Sequence, residues 1–157
     1  MAVNNAVRAV LPELLKKYQV VHLCGKGKVD ESLKNLTGYR QFEYIKDELK
    51  DLFAMSDVII SRAGANAICE IAALKKPALL IPLSARASRG DQILNAKSFK
   101  KQGFCEVLEE EDITDKKMLT TIDKLFLNKE SYIKAMANAD SNNAIDTILK
   151  LIESCRK

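Results

Sequence analysis

The chain has 157 residues, 47% of them hydrophobic and 29% charged, which suits one globular domain and leaves too little for two ordinary ones. Its net charge of +4 is mild, and its 5 Phe and 4 Tyr, without Trp, do not form the basic stripe with interleaved aromatics of a nucleic-acid reader. A single histidine, His22, excludes a His-based metal site and a Ser-His-Asp triad for want of material.

Val3, Val7, Val10, Leu11, Leu14, Leu15 and Tyr18 recur at helical spacing, and Pro12 predicts a kink or a restart within that helix. QVVHLC (19–24) reads as a short buried strand ending at Gly25-Lys26-Gly27, with His22 a satisfied strand histidine. YRQFEYI (39–45) is a second strand, and 47–55 a short helix with Leu49, Leu52 and Phe53 inward. DVIIS (57–61) is a continuous apolar strand, 64–74 a helix, ALLI (78–81) a buried strand between Pro77 and Pro82, 91–102 a helix and 105–108 a last strand. Three helices close the chain. The first carries Met118, Leu119, Ile122, Leu125 and Phe126; the second spans 129–138; the third carries Ile145, Ile148, Leu149 and Ile152.

Short apolar strands alternating with amphipathic helices predict an α/β fold, a Rossmann-like parallel sheet with helices on both faces. A doubly wound domain ordinarily opens with a strand and a Gly-rich turn. This chain opens directly in the helix that would follow them, so either its sheet lacks an edge or central strand, or it is a fragment. No apolar run approaches the roughly 20 residues of a membrane span. MAVNNAVRAVLPELLKK shows no secretory signal, which makes a cytoplasmic location the expectation, with weak attraction to an anionic membrane surface left open. Cys24, Cys69, Cys105 and Cys155 sit in apolar contexts without CxxC spacing and are expected as buried free thiols.

In open α/β sheets ligands bind beyond the carboxyl ends of the strands, and three segments meet that condition. Ser61-Arg62-Ala63-Gly64-Ala65-Asn66 joins a strand to a helix through small residues, which serves either a tight turn alone or the close approach of a diphosphate to a helix N-terminus. Glu70 is the one charge in AICEIAAL, read either as part of a solvated face or as a carboxylate accepting both hydroxyls of a ribose diol. In PLSARASRGDQILNA, the helical spacing of Asp91, Gln92 and Asn95 puts three short polar side chains on one side. Asp91 can serve as a cap, whereas Asn95 in the second turn lies beyond capping reach. Donors and acceptors together are what sugar hydroxyls require. Arg86 and Arg89 precede them, facing phosphate or solvent.

With these motifs together, the run from Phe42 to Phe104 resembles the C-terminal domain of the peptidoglycan N-acetylglucosaminyltransferases of the GT-B class, the MurG family. SRAG, the Glu-bearing AICEIAAL helix, the PLS loop and DQILNA are specific in combination. The resemblance implies one nucleotide-sugar donor-binding domain over 1–157, binding UDP-N-acetylglucosamine without cofactor or metal. It implies that Ile45 offers its backbone to uracil, that Gly64 and Ala65, in the Ser61–Asn66 turn, lie against diphosphate and sugar, and that Glu70 holds the ribose. Asp91, Gln92 and Asn95 would read the N-acetylglucosamine hydroxyls, in the cleft onto which Glu70 opens. Asn66 and Ala67 stand where many relatives carry a hydroxyl residue.

The family's opening strand and GGS-type turn are missing, as is the N-terminal half that carries acceptor binding, membrane association and the general base. The resemblance therefore implies an inactive isolated chain with no catalytic residue of its own. In the full enzyme it implies inverting transfer to a lipid-linked muramyl peptide, making lipid II from lipid I on the cytoplasmic face of the membrane. Exposed strand edges invite a homodimer or compensating pairing. Two other readings stay open: a related UDP-sugar reaction of the same fold, such as glycolipid synthesis or epimerisation, and a donor subunit of a split transferase.

Overall fold

A computed structural model describes residues 2–87, 89–139 and 144–155, with the side chains of 144–148 outside the description. Helix α1 (Ala2–Leu14) forms because Ala6, Val7, Val10, Leu11 and Leu14 share one buried face. It runs through Pro12 as one helix, without a restart, and ends two residues later. Strand β1 (Val20–Leu23) pairs in parallel with β2 (Tyr39–Phe42), Val20 beside Tyr39 and Leu23 beside Phe42. β2 stops short of the expected Ile45, and Glu43 there caps the preceding loop by accepting the Gly27 N–H at 2.7 Å.

After α2 (Leu49–Met55), three strands build a second parallel sheet: β3 (Ile59–Ser61), β4 (Ala78–Leu80) and β5 (Cys105–Val107), in the order β3-β4-β5. Helices α3 (Ala65–Ala73) and α4 (Asp91–Lys101) make the crossovers, and α5 (Asp115–Leu127), α6 (Lys129–Ala139) and α7 (Ala144–Ser154) complete the chain. Strand alternation splits β4 between two cores. Leu79, with Ile81 just beyond the strand, packs against α1, α5 and α6 through Val10, Met118, Leu125 and Met136. Ala78 and Leu80 pack on the other side against Ala63, Ile68, Ile71, Ala96 and Cys105. This is the predicted parallel sheet covered on both faces.

The sheet is not continuous. Among the described residues β1 and β3 do not pair, and a cleft of about 910 Å3 lies between them. The predicted loss of an edge or central strand is thus a gap inside the order, not a missing border. The two sheets are joined through the seam of α1 on α5. There Tyr18 stacks on Phe126 at 4.1 Å and donates to Asp123 at 2.8 Å. Burial, reinforced by that carboxylate, pushes the Tyr18 phenol up to about 12.

Two cysteine expectations need correction. Cys24 and Cys105 are buried, whereas Cys69 and Cys155 are exposed. Cys69 follows Ile68, whose side chain is buried, and one helical step turns it off that face despite its apolar neighbours in sequence.

Glu106 on β5 holds the lower end of the sheet to α5 and α6. Burial alone would raise its carboxyl, but hydrogen bonds from Lys124 and Tyr132 outweigh that and hold it below the usual range. Replacing Tyr132 by Phe removes its 2.8 Å donation to Glu106. The expected loss, about 1–2 kcal/mol, is measurable by urea unfolding; an unchanged midpoint would show that the bond contributes nothing.

Candidate functional site

The carboxyl ends of β3 and β4 carry two neighbouring connections, and the chain braces them to each other. From the β3–α3 turn, Arg62 donates through Nη1 to the carbonyls of Ile81 and Pro82, both at 3.1 Å, and to Glu110 at 3.0 Å. Its Nη2 reaches the second Glu110 oxygen at 3.3 Å. The guanidinium beside Glu110 is the main reason that its carboxyl lies below the ordinary range. From α4, the Asn95 amide donates to the Ala63 carbonyl at 3.1 Å, and the Gln92 side-chain oxygen accepts the Leu83 N–H at 3.1 Å. The turn, the β4–α4 loop and the first turns of α4 therefore form one framework.

Within it, Ala63 is fully buried, and Gly64 is the N-cap of α3 in extended conformation with no side-chain cap. The first helical hydrogen bond is Ile68 N–H to Gly64 C=O at 3.0 Å. The amides of Ala65, Asn66 and Ala67 thus precede any intrahelical bond and carry the positive end of the helix dipole. A Cβ placed on Gly64 would meet nothing within 4 Å, and its φ of −67° suits any residue. The fold itself does not demand glycine there; the space above it is open to something outside the chain.

The expected site residues fall into two groups. Ser61 and Gly64 are half-buried, Ala65 and Asn66 exposed, all in the β3–α3 turn; Gln92 and Asn95 are half-buried on α4, tied to that turn or the facing loop. The side chains of Ile45, Glu70 and Asp91 make no hydrogen bond to this framework among the described residues. Ile45 is half-buried in the loop after β2, Asp91 is exposed at the start of α4, and Glu70 is exposed on α3, one turn beyond Asn66. Gly90, ahead of Asp91, has a φ of 85°, a left-handed conformation that favours glycine. Arg86 and Arg89 are both exposed.

Sequence reasoning assigned no role to Arg62 or Glu110. The signal available was weak: a lone Arg among small residues, with its partner 48 positions away. His22 stands as expected, buried and satisfied: Nδ1 meets the Tyr39 hydroxyl at 2.8 Å and Nε2 the Asn4 side-chain oxygen at 3.2 Å. Among the described residues no cluster of His, Cys, Asp and Glu is arranged to hold a metal ion, and no helix is long and apolar enough to cross a membrane.

The Glycosyltransferase family 28 C-terminal domain profile matches residues 1–152. The chain is 58% identical over 155 residues to the UDP-N-acetylglucosamine–N-acetylmuramyl-(pentapeptide) pyrophosphoryl-undecaprenol N-acetylglucosamine transferase of Lachnospira eligens, covering 99% of this chain and 44% of that protein. It is 57% identical over 156 residues to the protein of the same name from Lachnoclostridium phytofermentans, with the same coverage. It therefore spans less than half the length of these relatives. Its backbone is similar to the crystal structure of Acinetobacter baumannii MurG, with a TM-score of 0.74 over 98% of this chain and 46% of that one; at 23% identity this speaks to the fold. With its parallel strands, its flanking helices and a family match over nearly its whole length, the chain belongs to the glycosyltransferase family 28 C-terminal domains.

Proposed function

We propose that residues 1–157 form a single donor-binding domain for UDP-N-acetylglucosamine, the donor half of an inverting glycosyltransferase that makes lipid II from lipid I. The observation that carries this reading is the uncapped N-terminus of α3 behind Gly64, with open space above it and the Gln92 and Asn95 amides braced alongside. Free N–H groups at a helix start suit a diphosphate and stabilise it as a leaving group without a metal. The names of the relatives at 57–58% identity supply the donor and the lipid-linked muramyl acceptor.

In this reading the Ser61–Asn66 turn takes the diphosphate and Glu70 accepts the ribose hydroxyls. Asp91, Gln92 and Asn95 read the sugar, and Ile45 offers its backbone to uracil. The base that deprotonates the acceptor hydroxyl belongs to an acceptor-binding half outside this chain, so the isolated chain binds donor and transfers nothing. The assembled enzyme would work peripherally at the cytoplasmic face of the membrane. A split transferase, in which the acceptor half is a separate polypeptide, is favoured by exposed Leu149, Leu151 and Ile152 on α7, an apolar row suited to a second protein. Ile145 and Ile148, expected on the same row, lie outside the described side chains.

Two substitutions test the donor site by calorimetry with UDP-N-acetylglucosamine. Glu70→Ala is expected to weaken binding about ten- to a hundredfold, the worth of roughly 1.5–3 kcal/mol for hydrogen bonds to a charged group. Gly64→Ala is expected to leave thermal stability nearly unchanged, because the added methyl meets no atom of the chain, while lowering affinity by occupying the space above the turn. Donor affinity unaffected by both changes would sink the proposal.

A further inference from the structure

The Gly25-Lys26-Gly27 turn that ends β1 stands apart from the Arg62 framework and is fixed by α1 at both of its flanks. Before it, the Cys24 carbonyl accepts from the Asn4 amide at 2.8 Å; after it, the Lys28 carbonyl accepts from Arg8 at 2.6 Å. Between these points the Lys28 N–H returns to the Gly25 carbonyl at 3.1 Å, closing a tight turn. Gly27, at its third position, has a φ of 66°, the left-handed backbone that a type II turn requires there. A Cβ on Gly27 would meet nothing within 4 Å, so it is the backbone and not crowding that calls for glycine.

One residue hangs from this turn by both its main chain and its side chain. The Glu43 carbonyl accepts the Gly25 N–H at 2.9 Å, one step past the β1–β2 ladder, and the Glu43 carboxylate accepts the Gly27 N–H at 2.7 Å. Glu43 is exposed, so the second bond seals no core; what it fixes is the start of the loop from β2 to α2. That loop runs only from 43 to 48 and carries Ile45. Lys46 lies 5.9 Å from the centre of the Tyr44 ring, a cation–π contact that spans Ile45. Among the described residues the Ile45 N–H and C=O have no hydrogen-bond partner.

We infer that Glu43 is a positioning residue for the base of the nucleotide: the glycine turn holds it, and it sets the Ile45 main chain at the depth where one N–H and one C=O pair with a pyrimidine edge. This rests on the proposed donor reading. A pyrimidine such as uracil presents a carbonyl acceptor beside a ring N–H, the complement of the donor and acceptor on one residue's main chain. A purine in the same place needs the loop set further back. Depth therefore decides base selectivity, and Glu43 fixes the depth without touching the ligand. The diphosphate turn is braced separately, through Arg62, Gln92 and Asn95, and none of those bonds involves Glu43.

The experiment measures binding of UDP, ADP and inorganic pyrophosphate to the intact chain, by calorimetry and amide NMR, in the parent, Glu43→Ala and Glu43→Gln. The parent is expected to prefer UDP to ADP. Glu43→Ala should weaken UDP about tenfold, bringing it close to ADP, and leave pyrophosphate within about twofold. Glu43→Gln, whose amide oxygen still accepts the Gly27 N–H, should keep most of the preference. With no ligand present, the Gly27 amide proton should move upfield in Glu43→Ala as its acceptor is lost. UDP affinity unchanged in Glu43→Ala would overturn the inference and leave the donor reading standing. So would an equal loss for pyrophosphate, the mark of general loosening, or an unmoved Gly27 amide. A parent that binds no UDP would sink the donor reading and this inference together.

Discussion

Acidification from pH 7 to pH 5 is expected to lower the stability of this domain by about 2 kcal/mol, mostly through His22. The ring is buried beside β2, and that burial, aided by the positive charge of Arg8, lowers its pKa from 6.5 to about 4. The sign follows from proton binding. Below about 6.5 the unfolded imidazole takes a proton while the folded one stays neutral until about pH 4. The unfolded state is therefore favoured increasingly across that window, by about 3 kcal/mol once the full shift is expressed. The neutral ring suits its partners, with Nε2–H donating to Asn4 and Nδ1 accepting from the Tyr39 hydroxyl. His22 is the sole histidine, so no other imidazole titrates there. For a domain of this size the loss at pH 5 corresponds to a fall in Tm of about 4–8 °C. A His22→Gln variant should begin less stable at pH 7 but hold its Tm nearly level between pH 6.5 and 5. Parallel declines in the two proteins would refute the assignment.

The second large effect belongs to Arg62. Its guanidinium satisfies two carbonyls at the end of β4 and both oxygens of Glu110, at a position where the two side chains are 27% and 24% exposed. Truncation to Ala strands those acceptors in a partly desolvated place. Breaking a fully buried pair costs about 3–5 kcal/mol, and partial exposure reduces that to about 3 kcal/mol here. Arg62→Ala should lower Tm by roughly 6–12 °C. Glu110→Gln, which keeps one acceptor for the guanidinium, should cost less than half as much, and the double variant should show coupling between the two positions. Additive effects, or a Tm within a degree of the parent, would count against a bracing role. Donor affinity is a second readout: losing Arg62 removes the direct brace between the β3–α3 turn and the end of β4, leaving only the links through Gln92 and Asn95 of α4.

Much of this architecture is legible in the residues themselves. Apolar runs such as VVHL and ALL have few options besides buried strands, and the stripes of α1 and α5 specify their inner faces. Local periodicity carries less information about ends, and so β2 was expected three residues too long. Cys69 and Cys155 show the same limitation in another form, since apolar neighbours along the chain do not decide which way a helix turns a side chain. The small-residue turn and the DQILN amides were readable as candidates because their chemistry is local. Arg62–Glu110 was not, because its geometry depends on folding that joins distant segments. The absence of a strand could be suspected from the opening helix, but its position at the centre of the order depends on long-range pairing that no local pattern encodes.

The split of β4 between two cores has a dynamic consequence. Its amides are enclosed on both faces and on both edges, so they should exchange with solvent only when the whole domain opens. The β1–β2 pair is anchored to the rest chiefly by the α1–α5 seam, with Val21, Leu23 and Phe42 still exposed. It should open as a separate, cheaper unit. The domain would then carry a firm half beneath the β3–α3 turn and a more readily melting half beneath the loop after β2, so that, on the proposed donor reading, capturing a nucleotide would also consolidate the weaker part of the fold.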